Sequence, residues 1–130
     1  MPADTVRIQK KDKICTLVLN RPEVMNAMNE ALVFELKDAV NQVADEDDIR
    51  VVVIKGAGKN FSSGADMSLL ANVVDSHQWL EGMRHLNQII TKLREMPQPI
   101  VTALRGAAYG AGANLALASD FVVAADDADG

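Results

Sequence analysis

Ile100-Val101-Thr102-Ala103-Leu104 runs through Arg105 into Gly106-Ala107-Ala108-Tyr109-Gly110-Ala111-Gly112, then Ala113-Asn114-Leu115-Ala116-Leu117-Ala118-Ser119-Asp120, and on to Phe121-Val122-Val123-Ala124-Ala125. The first and last segments are short, apolar and rich in β-branched residues, and read as strands. Between them lie a glycine-rich loop, Gly106 to Gly112, and a small-residue helix expected over Asn114 to Ala118. The same order occurs upstream. A strand is expected at Ile49 to Ile54, a glycine- and serine-rich loop at Gly56 to Gly64, and a short helix through Met67, Leu69 and Leu70. A long helix follows from Asp75 to Met96, where Pro97 and Pro99 stop it. Strands that alternate with helices favour a parallel sheet and an α/β fold.

Working outward to the N-terminus, Val6 to Lys10 and Ile14 to Leu19 read as two strands joined by a turn at Lys11-Asp12-Lys13. The second is nearly all apolar or β-branched, which suits a strand covered on both faces. Asn20-Arg21-Pro22-Glu23 breaks it. Asn29 then caps a helix expected to reach Asp45, because its side chain takes an unpaired first-turn N–H and Glu30 suits the helix dipole. Leu32, Leu36, Ala39, Val40 and Val43 recur at three and four residues and define its buried stripe. Trp79, Met83, Leu86, Ile90 and Leu93 do the same on the long helix, where Asp75 and Gln78 are placed as a capping box.

The chain has 130 residues, enough for one domain with one core. Apolar residues make up 48% and charged residues 24%, a globular composition rather than a disordered one. No apolar run is long enough to span a bilayer, and Met1 to Lys13 has no apolar signal-peptide core, so no membrane partner is expected. The lone Cys15 rules out an internal disulfide and suits a reducing compartment, here taken as cytoplasmic. At a net charge of −5, acids cluster at Asp45 to Asp48 and at Asp126, Asp127 and Asp129, while basic residues are scattered. Binding a nucleic-acid backbone needs a basic stripe, so no nucleic-acid partner is expected, and the acidic runs read as solvated loops.

Several chemistries fail on their spacing. Lys55-Gly56-Ala57-Gly58-Lys59-Asn60 ends like a phosphate-binding loop, but Val53 and Asn60 stand where that pattern needs a glycine and a hydroxyl. Gly110-Ala111-Gly112 starts a dinucleotide fingerprint whose third glycine position holds Leu115. Ser62 and Ser63 lack a nucleophile elbow. His77 and His85 lie eight apart on one helix, not at metal-ligand spacing, and read as surface histidines. Cys15 reads as a small buried hydrophobe, and no cluster suggests a metal.

Two segments remain, Asn60-Phe61-Ser62-Ser63-Gly64-Ala65-Asp66 and Gly106 to Asp120. Each follows an apolar strand, opens a helix, and uses small residues that let a ligand approach the backbone. Side by side, such loops aim two N–H donors at one oxygen, as a thioester enolate or tetrahedral oxyanion requires. Tight turns with glycines for packing explain the same residues, and the pattern alone leaves both readings open.

Asn20-Arg21-Pro22-Glu23-Val24-Met25-Asn26-Ala27-Met28-Asn29 resembles the N-R-P-x-x-x-N-A-[LM]-N signature of the crotonase (enoyl-CoA hydratase/isomerase) family. Phe61 to Asp66 resembles its F-[AS]-[AS]-G-A-D segment, and Gly106 to Asp120 its G-x-A-x-G-x-G-x-x-L-A-x-x-x-D segment, in the family's order. The resemblance implies a crotonase-like ββα spiral core, with residues 1–130 as the N-terminal portion and the C-terminal helical part absent. It implies an oxyanion hole from the backbone N–H groups of Ser63 and Ala111, the latter requiring a negative φ. Ser63, Gly64, Ala65 and Asp66 would line an acyl-CoA site flanked by Met25 and Ala27, with no cofactor beyond the coenzyme A of the substrate. Asn114 stands where hydratases of the family place their first catalytic glutamate. An amide orients water or a carbonyl but does not exchange protons near neutrality, which favours isomerisation over hydration. The resemblance further implies a homotrimer or hexamer for a complete protein. The alternative is a non-catalytic, CoA-ester-binding module that needs a C-terminal half or a partner chain, with apolar edges exposed.

Overall fold

The computed structural model describes residues 4–66 and 76–126, with side-chain environments for all of these except residues 76–82. The expected helix through Met67, Leu69 and Leu70, the Asp75–Gln78 cap, the packing of Trp79, the setting of His77, and Asp127 and Asp129 lie outside that description.

Strands β1 (Val6–Lys11) and β2 (Ile14–Leu19) form an antiparallel hairpin in which Lys11 faces Ile14. Asp12 and Lys13 make the turn at φ of 52° and 69°, the left-handed pair that a two-residue hairpin needs. After a short 3₁₀ turn at Pro22–Val24 come α1 (Glu30–Ala44), β3 (Val51–Gly56), α2 (Ser76–Glu95), β4 (Ile100–Leu104), α3 (Ala111–Leu117) and β5 (Phe121–Ala124). The sheet order is β1-β2-β3-β4-β5, parallel from β2 onward, as the alternation of strands and helices implied.

The Asn29 side chain accepts from the Leu32 N–H at 2.9 Å, so α1 starts where its cap predicts. Its stripe of Leu32, Val33, Leu36, Ala39, Val40 and Val43 is buried. It packs on α2, and both helices join the strand residues Cys15, Leu17, Leu19, Val52, Ile54 and Ile100 in one core. Full burial of such aliphatic side chains stabilises by about 1.5–3 kcal/mol each.

Four expectations change. First, β3 begins at Val51, not Ile49: Ile49 is buried in the preceding turn, and the Arg50 N–H donates to the Lys13 carbonyl at 2.8 Å. Second, α3 begins at Ala111, three residues before the expected Asn114, and so includes Gly112 against its poor helix propensity. A Cβ at Gly112 would lie 2.5 Å from the Ser62 carbonyl oxygen, so close helix-to-loop packing overrides that preference. Third, β2 is not covered along both faces: Ile14 is 42% exposed. The register and strand alternation turn Val101, Phe121 and Val123 to the face away from the α1–α2 core, and Phe121 and Val123 are each 63% exposed. His85 also departs from a surface residue: it is half-buried, with its ring 4.7 Å from Phe34 and its Nδ1 3.2 Å from the Lys37 ammonium.

Candidate functional site

The loop after β3 and the loop after β4 lie against each other. A parallel bridge pairs Ser62 with Ala108: the Ser62 N–H donates to the Ala107 carbonyl at 3.1 Å and the Tyr109 N–H to the Ser62 carbonyl at 3.0 Å. Asn60 adds a side-chain tie, its Oδ1 accepting from the Ala107 N–H at 2.8 Å. Contact is tight enough that a Cβ on Gly106 (φ 61°) would fall 2.2 Å from the Lys59 carbonyl oxygen.

The segment after β2 supports both loops from behind. Asn26 is fully buried and fully used: Oδ1 accepts from the Arg21 N–H at 2.8 Å, while Nδ2 donates to the carbonyls of Ala57 at 3.0 Å and Asn60 at 2.9 Å. Arg21 donates through Nη1 to the Ala27 carbonyl at 2.6 Å and to Asp66 Oδ2 at 2.8 Å. Asp66 is thus held in an ion pair, with both partners' side chains only 17% exposed. Ala27 is buried with its carbonyl occupied, so it shapes this turn rather than presenting a flank to a ligand. Met25 is 42% exposed, in the left-handed region at φ 55°.

The donor assignment at Ser63 changes. The Ser63 N–H donates to the Met25 carbonyl at 3.0 Å and is not available to a ligand. Three residues on, the Asp66 N–H donates to the Met28 carbonyl at 2.9 Å, and the Met28 N–H to the Gly64 carbonyl at 2.8 Å. In a parallel bridge of Met28 with Ala65, these bonds belong to the neighbours of Ala65, so its own N–H points the other way. Regular extended backbone puts same-side N–H groups an even number apart. Here residues 63 and 66 share a side because Gly64, at φ 102°, breaks the alternation. The glycine was the signal in the sequence, but its effect depends on pairing with Met25 and Met28.

Ala111 lies across from this loop. It is the first residue of α3, is absent from the positive-φ residues, and its N–H has no acceptor among the described residues. Gly110 turns the chain into the helix at φ 50° and ψ −120°. A Cβ at Gly64 would lie 2.9 Å from the Tyr109 carbonyl oxygen and 3.6 Å from the Ala111 nitrogen, so the peptides bearing Ala65 and Ala111 converge. Asn114 lies one turn beyond Ala111 on the same helix face. Both border a cavity of about 30 Å³, room for about one water-sized group, with Met28, Leu86, Asn87 and Ile90. Sequence reasoning named no role for Arg21, Asn26, Asn60 or Asn87; Arg21 and Asn26 lie outside the glycine loops, and Asn60 lies within the first of them.

Residues 9–129 match the family model described as Enoyl-CoA hydratase/isomerase. A crotonyl-CoA hydratase from Syntrophomonas wolfei is 35% identical over 130 residues, covering 98% of this chain and 49% of the relative. A 1,2-epoxyphenylacetyl-CoA isomerase from Escherichia coli is 36% identical over 120 residues, 88% of this chain and 45% of the relative. The crystal structure of an enoyl-CoA hydratase from Bacillus anthracis superposes with a TM-score of 0.91 at 31% identity, covering 96% of this chain and 49% of that one. The fold is therefore of the crotonase type, and the chain spans about half the length of the curated relatives it matches.

Proposed function

Because the chain belongs to the enoyl-CoA hydratase/isomerase family, we propose that its two loops hold an acyl-CoA thioester with the carbonyl oxygen between the N–H groups of Ala65 and Ala111. One observation carries this reading. Ser62, Ser63, Gly64, Asp66, Tyr109 and Gly112 all donate their N–H groups within the protein, while Ala65 and Ala111 have no acceptor among the described residues. Removing a proton α to a thioester places negative charge on its oxygen, and two fixed donors stabilise that charge in a site shielded from water. Because the donors are backbone, side-chain identity at these positions is secondary.

Asn114 and Asn87 orient water or the carbonyl but do not transfer protons. No carboxylate borders the cavity beside Ala111 among the described residues, so in this reading the acid–base group lies outside that lining. With an amide at residue 114, a double-bond isomerisation with one acid–base carboxylate suits the site better than hydration with two. Coenzyme A enters as part of the substrate, and a trimer or hexamer is the expected assembly.

A second reading is favoured by the bare sheet face at Phe121 and Val123, each 63% exposed. In it the chain binds the thioester and turns it over only when more polypeptide completes it.

Ultraviolet difference titration with acetoacetyl-CoA tests the donor pair directly, because the enolate absorbs differently from the keto form. A saturable enolate band is expected. A folded chain that yields none refutes the donor pair within these residues.

A further inference from the structure

Ser62 is polar, small and completely buried, with 0% of its surface exposed. Burying a hydroxyl costs free energy unless it is bonded, and an alanine fills the same space without that demand. Here the hydroxyl is bonded in both senses: Oγ donates to the Asn26 carbonyl at 2.9 Å and accepts from the Gly64 N–H at 3.2 Å. The backbone of the same residue pairs with Ala107 and Tyr109 in the other loop. Ser62 therefore holds the Ser63–Gly64 peptide, one before the peptide that carries the Ala65 N–H, and the segment just before Ala111.

We propose that Ser62 is a positioning residue that aligns the two donor peptides through its hydroxyl. The proposal rests on the Ala65–Ala111 reading. Gly64 has no side chain to select its φ of 102°, and glycine reaches both signs of φ about equally. The Gly64 N–H lies on the peptide plane that precedes this φ. Anchored on Ser62 Oγ, while the Gly64 carbonyl is anchored on the Met28 N–H at 2.8 Å, it fixes the planes on both sides of Gly64. The Ala65 N–H belongs to the second plane and inherits its direction. Without the hydroxyl, the first anchor is gone, the Met28 bond alone holds the plane that carries the donor, and the donor samples directions off the substrate oxygen. Preorganised donors lose their advantage when they must reorganise at the moment of reaction.

The test is Ser62→Ala in the same 130-residue chain, with acetoacetyl-CoA bound and the enolate band followed against pH. The midpoint of enolisation is expected to rise by about one unit, a tenfold loss of enolate at fixed pH. A purely structural role lowers the melting temperature and leaves the midpoint in place; that result, with the wild-type chain enolising normally, overturns the proposal and spares the donor pair. A wild-type chain that forms no enolate overturns both together. If the alanine chain does not fold, Ser62→Cys keeps the branching with a slightly larger atom and a weaker acceptor. It is expected to raise the midpoint by a smaller amount, and an unmoved midpoint there overturns the proposal equally.

Discussion

Replacing Ala111 by proline isolates a single N–H. Ala111 opens α3, and proline is well tolerated at a first helical position, where the missing N–H has no helical partner. The hydrogen bonds that start this helix run from Gly112 to Tyr109 at 2.8 Å and from Asn114 to Gly110 at 3.0 Å, and neither uses the Ala111 N–H. The preceding Gly110 has no Cβ to meet the proline ring and carries ψ of −120°, away from the helical value that proline disfavours in its predecessor. Stability is therefore expected to change by no more than about 1 kcal/mol, the scale of an ordinary helix-end substitution. The proposed oxyanion site, by contrast, loses one of two donors, which costs about 2.7–4 kcal/mol of charge stabilisation. At 1.36 kcal/mol per unit, that raises the enolisation midpoint of bound acetoacetyl-CoA by about two to three units, read at saturating ligand. Ala111→Gly is the companion: it keeps the N–H, costs about 1 kcal/mol of helix stability, and should leave the midpoint nearly in place. An unchanged midpoint in the proline chain removes Ala111 from the donor pair. Equal shifts in both chains attribute the effect to a loosened helix start.

Asn26→Ala should destabilise the chain by about 3 kcal/mol or more, because it strips partners from the Arg21 N–H and from the Ala57 and Asn60 carbonyls, each buried group costing about 1–3 kcal/mol when unpaired. Urea denaturation reads this, and a loss under about 1 kcal/mol would mean that water replaces the clamp. Cys15 is wholly buried, and burial pushes its thiol above the ordinary value, with Lys10 opposing and Glu46 adding to the shift. The folded state then keeps its proton where the unfolded chain has released it, so stability from this group is intact below the ordinary thiol range and falls as pH rises through it. Thiol-reagent labelling at pH 8 should wait for unfolding, and fast labelling of the folded chain would contradict the burial.

What could be read along the chain was whatever rests on local pattern. α1 was legible from the Asn29 cap and a buried stripe at spacings of three and four, and β4 from an apolar run ended by loop residues at both sides. Boundaries moved where an apolar residue is buried for another reason, as at Ile49, or where packing outweighs propensity, as at Gly112. The bare face of β5 was hidden because apolarity says that a side chain seeks cover, not whether the cover lies in these residues. The backbone directions behind the proposed donor pair were legible at one position and not at the other. The direction of the Ala111 N–H follows from its place at a helix start, a local fact. The direction at residues 63 to 66 is set by carbonyls at Met25 and Met28, more than thirty residues earlier, and by one glycine φ.

That difference explains how the three motifs divide the work. Those around Ser63 and Gly110 supply backbone, so any small residue with the right φ serves at the donor positions. In the segment from Asn20 to Asn29, Pro22, Glu23, Val24 and Met25 are exposed and Asn26, Ala27 and Met28 are buried. Its polar residues are spent inward: Arg21 on Asp66, Asn26 on Ala57 and Asn60, and Asn29 on the start of α1. A backbone oxyanion hole cannot be tuned by changing the donor's side chain. Its precision has to come from groups that hold the carbonyls and amides on either side. In the proposed site those groups are Asn26, Asn60 and Ser62, with Gly64 and Gly106 permitting the contacts they enforce. Substitutions at these five positions should therefore disturb the proposed site more than substitutions of the Ala65 or Ala111 side chains, although none of the five offers its own N–H to the substrate.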